Sequence, residues 1–194
     1  MCPLSNIPEE KEWNLRELED MVLAPYIWKA TALIGRKRRV GGNQFRHNMA
    51  TLAILIDYHY THDPVLLKAS IIHDLYEDVP NTDRNDIRAL VDGIEVDNLV
   101  VEMTRSKTEK KSVYLSRILN QGSKRAKILK VADRISNLTD LHLGIDNETM
   151  ILGYLNETRQ LIFPMAEEVN TNMLLELTDL CNRREKYLNL ILKH

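Results

Sequence analysis

Apolar residues recur along most of this chain at steps of three and four, and the strict alternation of a half-buried strand is lacking. Such spacing gathers the apolar side chains on one face of a helix. Glycine and proline, which interrupt helices, are scarce at seven and six residues out of 194. The pattern predicts helix throughout and therefore an all-α fold, in which helices bury their apolar faces against one another.

No internal repeat, low-complexity tract or linker divides the 194 residues. A chain of this length commonly folds as one domain and buries enough surface to need no disulfide. We therefore expect a single compact domain over 1–194, with its core at about 20–190. The two cysteines, Cys2 and Cys181, form no disulfide framework and are typical of a protein in the reducing cytoplasm.

Composition argues against several classes of protein. The 26 basic and 28 acidic residues leave a net charge of −2, so no overall field attracts nucleic acid or an anionic membrane. We see no apolar run of membrane-spanning length and no N-terminal signal-peptide pattern. We expect a cytoplasmic protein that binds neither nucleic acid nor membrane, and whose last helix is compatible with an oligomer. Any anion-binding site must be local.

One predicted helix ends in the most informative segment of the chain, Ile71-Ile72-His73-Asp74-Leu75-Tyr76-Glu77-Asp78. Asp63-Pro64 has the cap and first-turn proline of a helix start, and we expect the helix to continue to about Asp78. Offsets of three and four relate His73 to Glu77 and Asp74 to both Glu77 and Asp78, which would place one histidine and three carboxylates on neighbouring positions of the helix surface. These acids repel one another at the negative helix end, and a bound cation would remove that conflict. The alternative is a solvated acidic helix end, against which the apolar flank argues.

Two other predicted helices carry residues that fit the same ion. His47 lies one turn into its helix, and Asp133 lies among apolar residues, where a carboxylate needs a partner. An ion pair with Lys130 or Arg134 is the alternative for Asp133. The four candidate ligands are two imidazoles and two carboxylates, a set that favours manganese, iron or zinc over calcium: His47, His73, Asp74 and Asp133. A second His-Asp dipeptide, His62-Asp63, is the weaker candidate, because Asp63 serves as a cap and no further acids follow.

The order His47, His73-Asp74, Asp133 resembles the HD-domain phosphohydrolase superfamily. The segment His73-Asp74-Leu75-Tyr76-Glu77-Asp78 resembles the His-Asp-x-x-Glu-Asp motif in the hydrolase domain of RelA/SpoT homologues. The segment Lys130-Val131-Ala132-Asp133-Arg134-Ile135-Ser136-Asn137 resembles their Lys-Leu-Ala-Asp-Arg-x-x-Asn motif. The resemblance covers about 20–190, and we expect no synthetase domain to follow it. It points to the small stand-alone alarmone hydrolases, which include the metazoan SpoT homologues.

This resemblance implies that the four candidate ligands bind Mn²⁺, and that Glu77 and Asp78 position or activate the attacking water. It implies hydrolysis of the 3′-pyrophosphate of guanosine tetra- or pentaphosphate, (p)ppGpp. One alternative is another HD phosphohydrolase acting on NADPH or a nucleoside phosphate. A second is a non-catalytic nucleotide sensor, against which the retention of both acids argues.

The substrate side of the resemblance lies in a basic loop. Arg38 and Arg39, nine and eight residues before His47, match the family's basic pair, and Asn137 matches an asparagine that faces the nucleotide. The run of four basic residues at 36–39 would concentrate an anionic nucleotide, unless it is simply a solvated loop. Further candidates for distal phosphates are Arg105, Lys107, Lys110 and Lys111. Gln44 stands where the family usually has tyrosine and Asn48 where it has proline, and both departures leave the candidate ligands intact.

Overall fold

The computed structural model describes residue 18 and residues 21–141 and 148–191. Its helices, in chain order, are α1 (Ala24–Ala30), α2 (Gln44–Asp57), α3 (Pro64–Ile72), α4 (Leu75–Asp78), α5 (Arg84–Arg88), α6 (Gly93–Met103), α7 (Lys111–Gln121), α8 (Lys124–Asp140), α9 (Glu148–Glu157), α10 (Phe163–Val169) and α11 (Thr171–Ile191). A 3₁₀ turn, Thr31–Leu33, follows α1, and a π-helical turn, Thr158–Ile162, joins α9 to α10. Over these ranges no strand is formed, and the all-α prediction is confirmed. Cys2 and the N-terminal segment considered for a signal peptide lie outside the described residues.

Helix α3 lies at the centre of the molecule. Residues 65–72 are all buried, because the helix packs against α1, α2 and α6. Its start is as predicted: the Asp63 side chain accepts a hydrogen bond from the Leu66 N–H at 3.1 Å, and Pro64 follows the cap. The one charged side chain of α3, Lys68, is neutralised by Asp92, with Nζ 2.5 Å from Oδ2. None of the described helices is both long and apolar enough to span a membrane.

The prediction that this helix continues to Asp78 is wrong. Helix α3 ends at Ile72, His73 and Asp74 form a turn, and α4 begins at Leu75. Asp74 has φ −92° and ψ 0°, in the sparsely occupied bridge region that active-site residues often use. Consecutive side chains of an unbroken helix do not face each other. The turn therefore lets the neighbouring His73 and Asp74 side chains approach one point.

Helix α8 packs against α2, α10 and α11 and brings charged residues into the core. It begins at Lys124, with the Ser123 hydroxyl accepting from the Ala126 N–H at 3.2 Å as a cap, and it ends at Asp140. Asp133 and Arg134 are only 6% and 2% exposed. Each of these two buried charges needs a partner of opposite charge or a hydrogen bond.

A fully buried carboxylate, Asp97 of α6, joins α4, α5 and α6. It accepts hydrogen bonds from the Tyr76 hydroxyl at 2.7 Å, from Arg84 at 2.8 and 2.7 Å, and from Arg88 at 2.9 Å. The hydrogen bonds from Arg84 in particular hold the pKa of Asp97 below its ordinary value. Asp97 therefore holds α4 against α5 and α6 through its hydrogen bond with Tyr76.

Asp97→Asn is expected to lower the free energy of unfolding by about 2 kcal/mol at pH 7, because charge-assisted hydrogen bonds are lost. The pKa of Asp97 is lower in the folded than in the unfolded protein, where it is about 3.9. The stabilisation is therefore complete above that value and lost as the pH falls through the folded pKa. Urea unfolding at pH 7 and at about pH 3.5 should show the difference shrinking in acid. A difference independent of pH would contradict this, and Asp86→Asn, in an exposed pair with Lys29, is the control.

Candidate metal centre and adjoining pocket

Side chains from α2, from the turn after α3 and from α8 converge in the core. His47 Nε2 lies 3.0 Å from Asp133 Oδ1 and 3.7 Å from Asp74 Oδ2. His73 Nε2 lies 3.4 Å from Asp74 Oδ2 and 3.9 Å from Asp133 Oδ1. Ligand atoms of His47, His73 and Asp133 all fall within 4.8 Å of one another. The structure thus brings together the four residues that the sequence analysis selected from three separate segments.

The His73 ring tests whether this centre fits an ion. Its Nδ1 lies 2.8 Å from the Ser70 carbonyl oxygen, which leaves Nε2 facing the carboxylates. Among the described residues, Nε2 is one of two buried side-chain polar atoms without a hydrogen bond. Such an atom is costly to bury, whereas a cation would occupy its lone pair. Two neutral imidazoles with two carboxylates carry a charge of −2, which matches a divalent ion. The residues therefore fit a metal.

Hydrogen bonds behind the imidazoles orient both rings. His47 Nδ1 lies 2.9 Å from Ser136 Oγ, and His73 Nδ1 lies 2.8 Å from the Ser70 carbonyl oxygen. Both Nε2 atoms are therefore directed to the carboxylates of the candidate metal centre. In the metal-free centre, burial lowers the pKa of His73, but the carboxylates of Asp74 and Asp133 outweigh it and raise the pKa to about 9. The carboxylates that raise this pKa would equally favour a metal cation in place of the proton.

Asp133 is held from a second side by Lys130, whose Nζ lies 2.7 Å from Oδ2. Burial raises the pKa of Asp133, but Lys130 and the two histidines overcome this and leave it well below the ordinary value. Asp133 is therefore ionised. The ion pair with Lys130 coexists with the contact to His47, whereas Arg134 is directed to Glu157 at 2.8 Å and is no partner of Asp133.

The acids of α4 are each held by one hydrogen bond. Glu77 Oε1 accepts from the Arg105 backbone N–H at 2.6 Å, and Asp78 Oδ2 accepts from Gln44 Nε2 at 2.9 Å. Burial raises the pKa of both carboxyls, and the negative charge of Asp74 adds to the rise against these hydrogen bonds. A raised pKa makes each carboxylate a better proton acceptor than an exposed one.

A cavity of about 420 Å³ adjoins this centre. Its charged lining residues are all cations, and the full lining is Lys37, Arg38, Arg39, Val40, Gln44, Lys111, Asn137, Leu141, Met150 and Tyr154. Asn137 connects the cavity to the centre, since its Nδ2 donates to Asp133 Oδ1 at 2.6 Å. A cavity of this charge and position is suited to an anion that reaches the candidate metal ligands.

The three predicted substrate-side residues all line this cavity, in different environments. The Arg38 side chain is 9% exposed, and its guanidinium donates to Asn137 at 3.0 Å and to Asp140 at 3.2 Å. Arg39 is exposed and contacts the Met150 sulfur at 2.6 Å. Arg38 therefore holds the basic loop against Asn137 and Asp140 of α8, whereas Arg39 is the more accessible cation.

The loop turns back at two glycines. Gly41 and Gly42 have φ of 91° and 67°, a conformation that favours glycine. The turn allows Lys37 to form an isolated bridge with Asn43, directly before α2. As a result, the backbone of the basic loop lies against the start of α2, where the Gln44 N–H donates to the Arg36 carbonyl oxygen at 2.9 Å.

Sequence reasoning missed Tyr154 and Met150 of the cavity. Two cations contact the Tyr154 ring: the Arg134 guanidinium lies 4.0 Å from the ring centroid and the Lys111 ammonium 4.4 Å from it. An aromatic residue at helical spacing is usually core, and nothing in its spacing relates it to the distant His-Asp residues. Of the four other basic candidates, Lys111 lines the cavity; Arg105 contacts Glu77 through its backbone.

The second dipeptide, His62-Asp63, has separate partners. Asp63 caps α3 and pairs with Arg125 at 2.8 Å, while His62 Nδ1 lies 3.2 Å from the His59 carbonyl oxygen. These contacts agree with the prediction that His62-Asp63 is the weaker candidate for metal binding.

No family model matches this chain, but individual proteins resemble it in sequence and in fold. The Drosophila melanogaster protein named guanosine-3′,5′-bis(diphosphate) 3′-pyrophosphohydrolase MESH1 is 32% identical over 132 residues, which cover 63% of this chain and 70% of that protein. A Mycoplasma genitalium protein named probable guanosine-3′,5′-bis(diphosphate) 3′-pyrophosphohydrolase is 26% identical over 150 residues, 69% of this chain but 20% of its own length. A solved structure, described as a metazoan ortholog of SpoT that hydrolyses ppGpp, has the same fold, with a TM-score of 0.72 and 23% identity over 83% of this chain and 93% of that one.

Proposed function

Because the chain belongs to the family of MESH1-type guanosine-3′,5′-bis(diphosphate) 3′-pyrophosphohydrolases, we propose that it hydrolyses (p)ppGpp and releases pyrophosphate. The observation that carries this proposal is the junction between a metal-fitting His-Asp centre and a cavity lined by four cations. A guanosine with two diphosphates is strongly anionic and matches that lining. The uncharged nucleosides and neutral metabolites match it less well.

In this proposal His47, His73, Asp74 and Asp133 hold the divalent ion, which we take to be Mn²⁺. When bound, such an ion supplies Lewis-acid chemistry, making water more acidic and offsetting phosphate charge. The hydrogen bond between Ser136 and His47 supports the proposed geometry, since partners of this kind fix the orientation of ligating imidazoles.

Glu77 and Asp78 orient the attacking water and accept its proton. Their burial and raised pKa support this role, as do the hydrogen bonds that hold each carboxylate. The reaction consumes one water, breaks the bond between the ribose 3′ oxygen and its phosphorus, and returns a proton to that oxygen. The products are pyrophosphate and GDP, or GTP from the pentaphosphate.

The nucleotide occupies the basic cavity. Arg39 and Lys111 bind its phosphates, while Arg38 and Asn137 form the hydrogen-bonded link from the basic loop to Asp133. Substrate binding and metal binding are thus joined by a chain of direct contacts. The proposed setting is the cytoplasm, with a small nucleotide as the partner.

Purified protein loaded with Mn²⁺ should release pyrophosphate from ppGpp, and Glu77→Gln or Asp78→Asn should lower kcat by about 10²–10⁴-fold, because proton transfer is impaired. Pyrophosphate release and chromatography of the nucleotide product measure this. Glu167→Gln, at an exposed position on α10, is the matched control.

The same assay separates the alternatives. Orthophosphate released from NADPH or a nucleoside monophosphate, with ppGpp left intact, would identify a different HD phosphohydrolase. Nucleotide binding without turnover with any divalent metal would identify a sensor.

A further inference from the structure

Gln44 lies at the junction of the metal helix, the basic cavity and the acidic pair. It is the first residue of α2, where Asn43 caps the helix by accepting from the Arg46 N–H at 2.9 Å. Its own N–H donates to the Arg36 carbonyl oxygen at 2.9 Å. His47 follows three residues later, on the neighbouring surface of the same helix. The backbone of Gln44 is therefore fixed relative to a candidate metal ligand.

The Gln44 side chain reaches across to α4. Its Nε2 donates to Asp78 Oδ2 at 2.9 Å, and the same side chain lines the cavity of about 420 Å³. Asp78 is the last residue of a helix of only four residues, which by itself restrains a side chain weakly. Among the groups that act on Asp78, Asp74 repels its charge, while Arg36 and His73 attract it. The Gln44 amide supplies the directional contact.

We propose that Gln44 is a positioning residue for the reaction: its amide holds the Asp78 carboxylate in the orientation that the attacking water requires. The proposal rests on the function assigned above to Asp78. An amide N–H that donates to a carboxylate favours the ionised form and one carboxylate orientation. Since the donor belongs to the helix that carries His47, the proton acceptor and the metal ligands keep a constant spacing.

The test compares Gln44→Leu and Gln44→Glu with the unaltered protein. Leucine removes the donor at similar volume and should lower kcat about tenfold, the size of one charge-assisted hydrogen bond, with KM changed less than about threefold. Glutamate sets a second carboxylate against Asp78 and should lower kcat further. The acid limb of the kcat profile should move to higher pH in Gln44→Leu, because the lost bond had favoured ionised Asp78. Gln121→Leu, exposed at the end of α7, should change neither constant.

A double variant separates positioning from substrate contact. In Asp78→Asn protein, Gln44→Leu should cause little further loss of kcat, because both changes act on one group. An equal loss in both backgrounds, or a rise in KM with kcat unchanged, would overturn the proposal.

A measurement without substrate distinguishes failure of this inference from failure of the proposed function. NMR titration of the Asp78 carboxyl carbon should give a higher pKa in Gln44→Leu than in the unaltered protein. An unchanged pKa would overturn the role of Gln44 whatever the enzyme hydrolyses. A protein that shows the expected pKa change but releases no pyrophosphate from ppGpp would instead contradict the proposed function.

Discussion

Asp133→Asn is expected to lower kcat for pyrophosphate release by about 10³-fold or more, since a bound metal ion contributes several kcal/mol to such reactions. It should also weaken Mn²⁺ binding strongly. The substitution keeps the shape of the side chain and removes its charge, so that only Asp74 remains as an anionic ligand. Lys130 Nζ, 2.7 Å from Asp133 Oδ2, then loses its counter-charge and repels a cation.

Calorimetric titration with Mn²⁺ and the pyrophosphate assay measure the two effects, and circular dichroism establishes that the variant is folded. Asp179→Asn is the control, because Asp179 is an exposed carboxylate on α11 that pairs with Arg183 of the same helix. Mn²⁺ affinity retained within about threefold, which corresponds to less than about 1 kcal/mol, would contradict the assignment of Asp133 as a ligand.

Glu157→Ala is expected to lower the free energy of unfolding by about 3–5 kcal/mol, because it leaves a buried cation without its counter-charge. Arg134 is 2% exposed and lies 2.8 Å from Glu157. Lys111 lies 2.8 Å from the same carboxylate oxygen. Both cations also contact the Tyr154 ring, so removing Glu157 leaves two positive charges at one aromatic ring. The melting temperature should fall by roughly 6–20 °C for a chain of this size.

Thermal and urea unfolding measure this change. Asp86→Ala removes a carboxylate from the exposed pair with Lys29 and should cost about 0.5 kcal/mol. A loss below about 1 kcal/mol in Glu157→Ala would mean that water replaces the carboxylate and that Arg134 is less isolated than its contacts indicate.

The helical fold could be predicted because periodicity depends only on neighbouring residues. Caps and first-turn prolines are local for the same reason, and the helix start expected at Asp63-Pro64 is that of the structure. The break at His73-Asp74 could not be predicted in this way. The local sequence is compatible with a continuous helix. The break instead brings His73 and Asp74 near side chains of α2 and α8 that are distant in the chain.

The same distinction between local sequence and tertiary packing applies to the candidate site. The residue types at His47, His73-Asp74 and Asp133 indicated a divalent ion, since ligand chemistry can be read from composition and flanking residues. The cavity beside them was only partly visible as a basic loop. Tyr154 and Lys111 belong to it because α7, α8 and α9 meet around Arg134.

Local spacing was thus enough to predict the helical fold, the cap at Asp63 and a candidate donor set for a metal. Tertiary packing decided which side chains act together. Gln44 meets Asp78 across 34 positions, and the Arg105 N–H meets Glu77 across 28. Contacts of this range depend on how whole helices lie against one another, and the residues next to them in the chain carry no record of the partner.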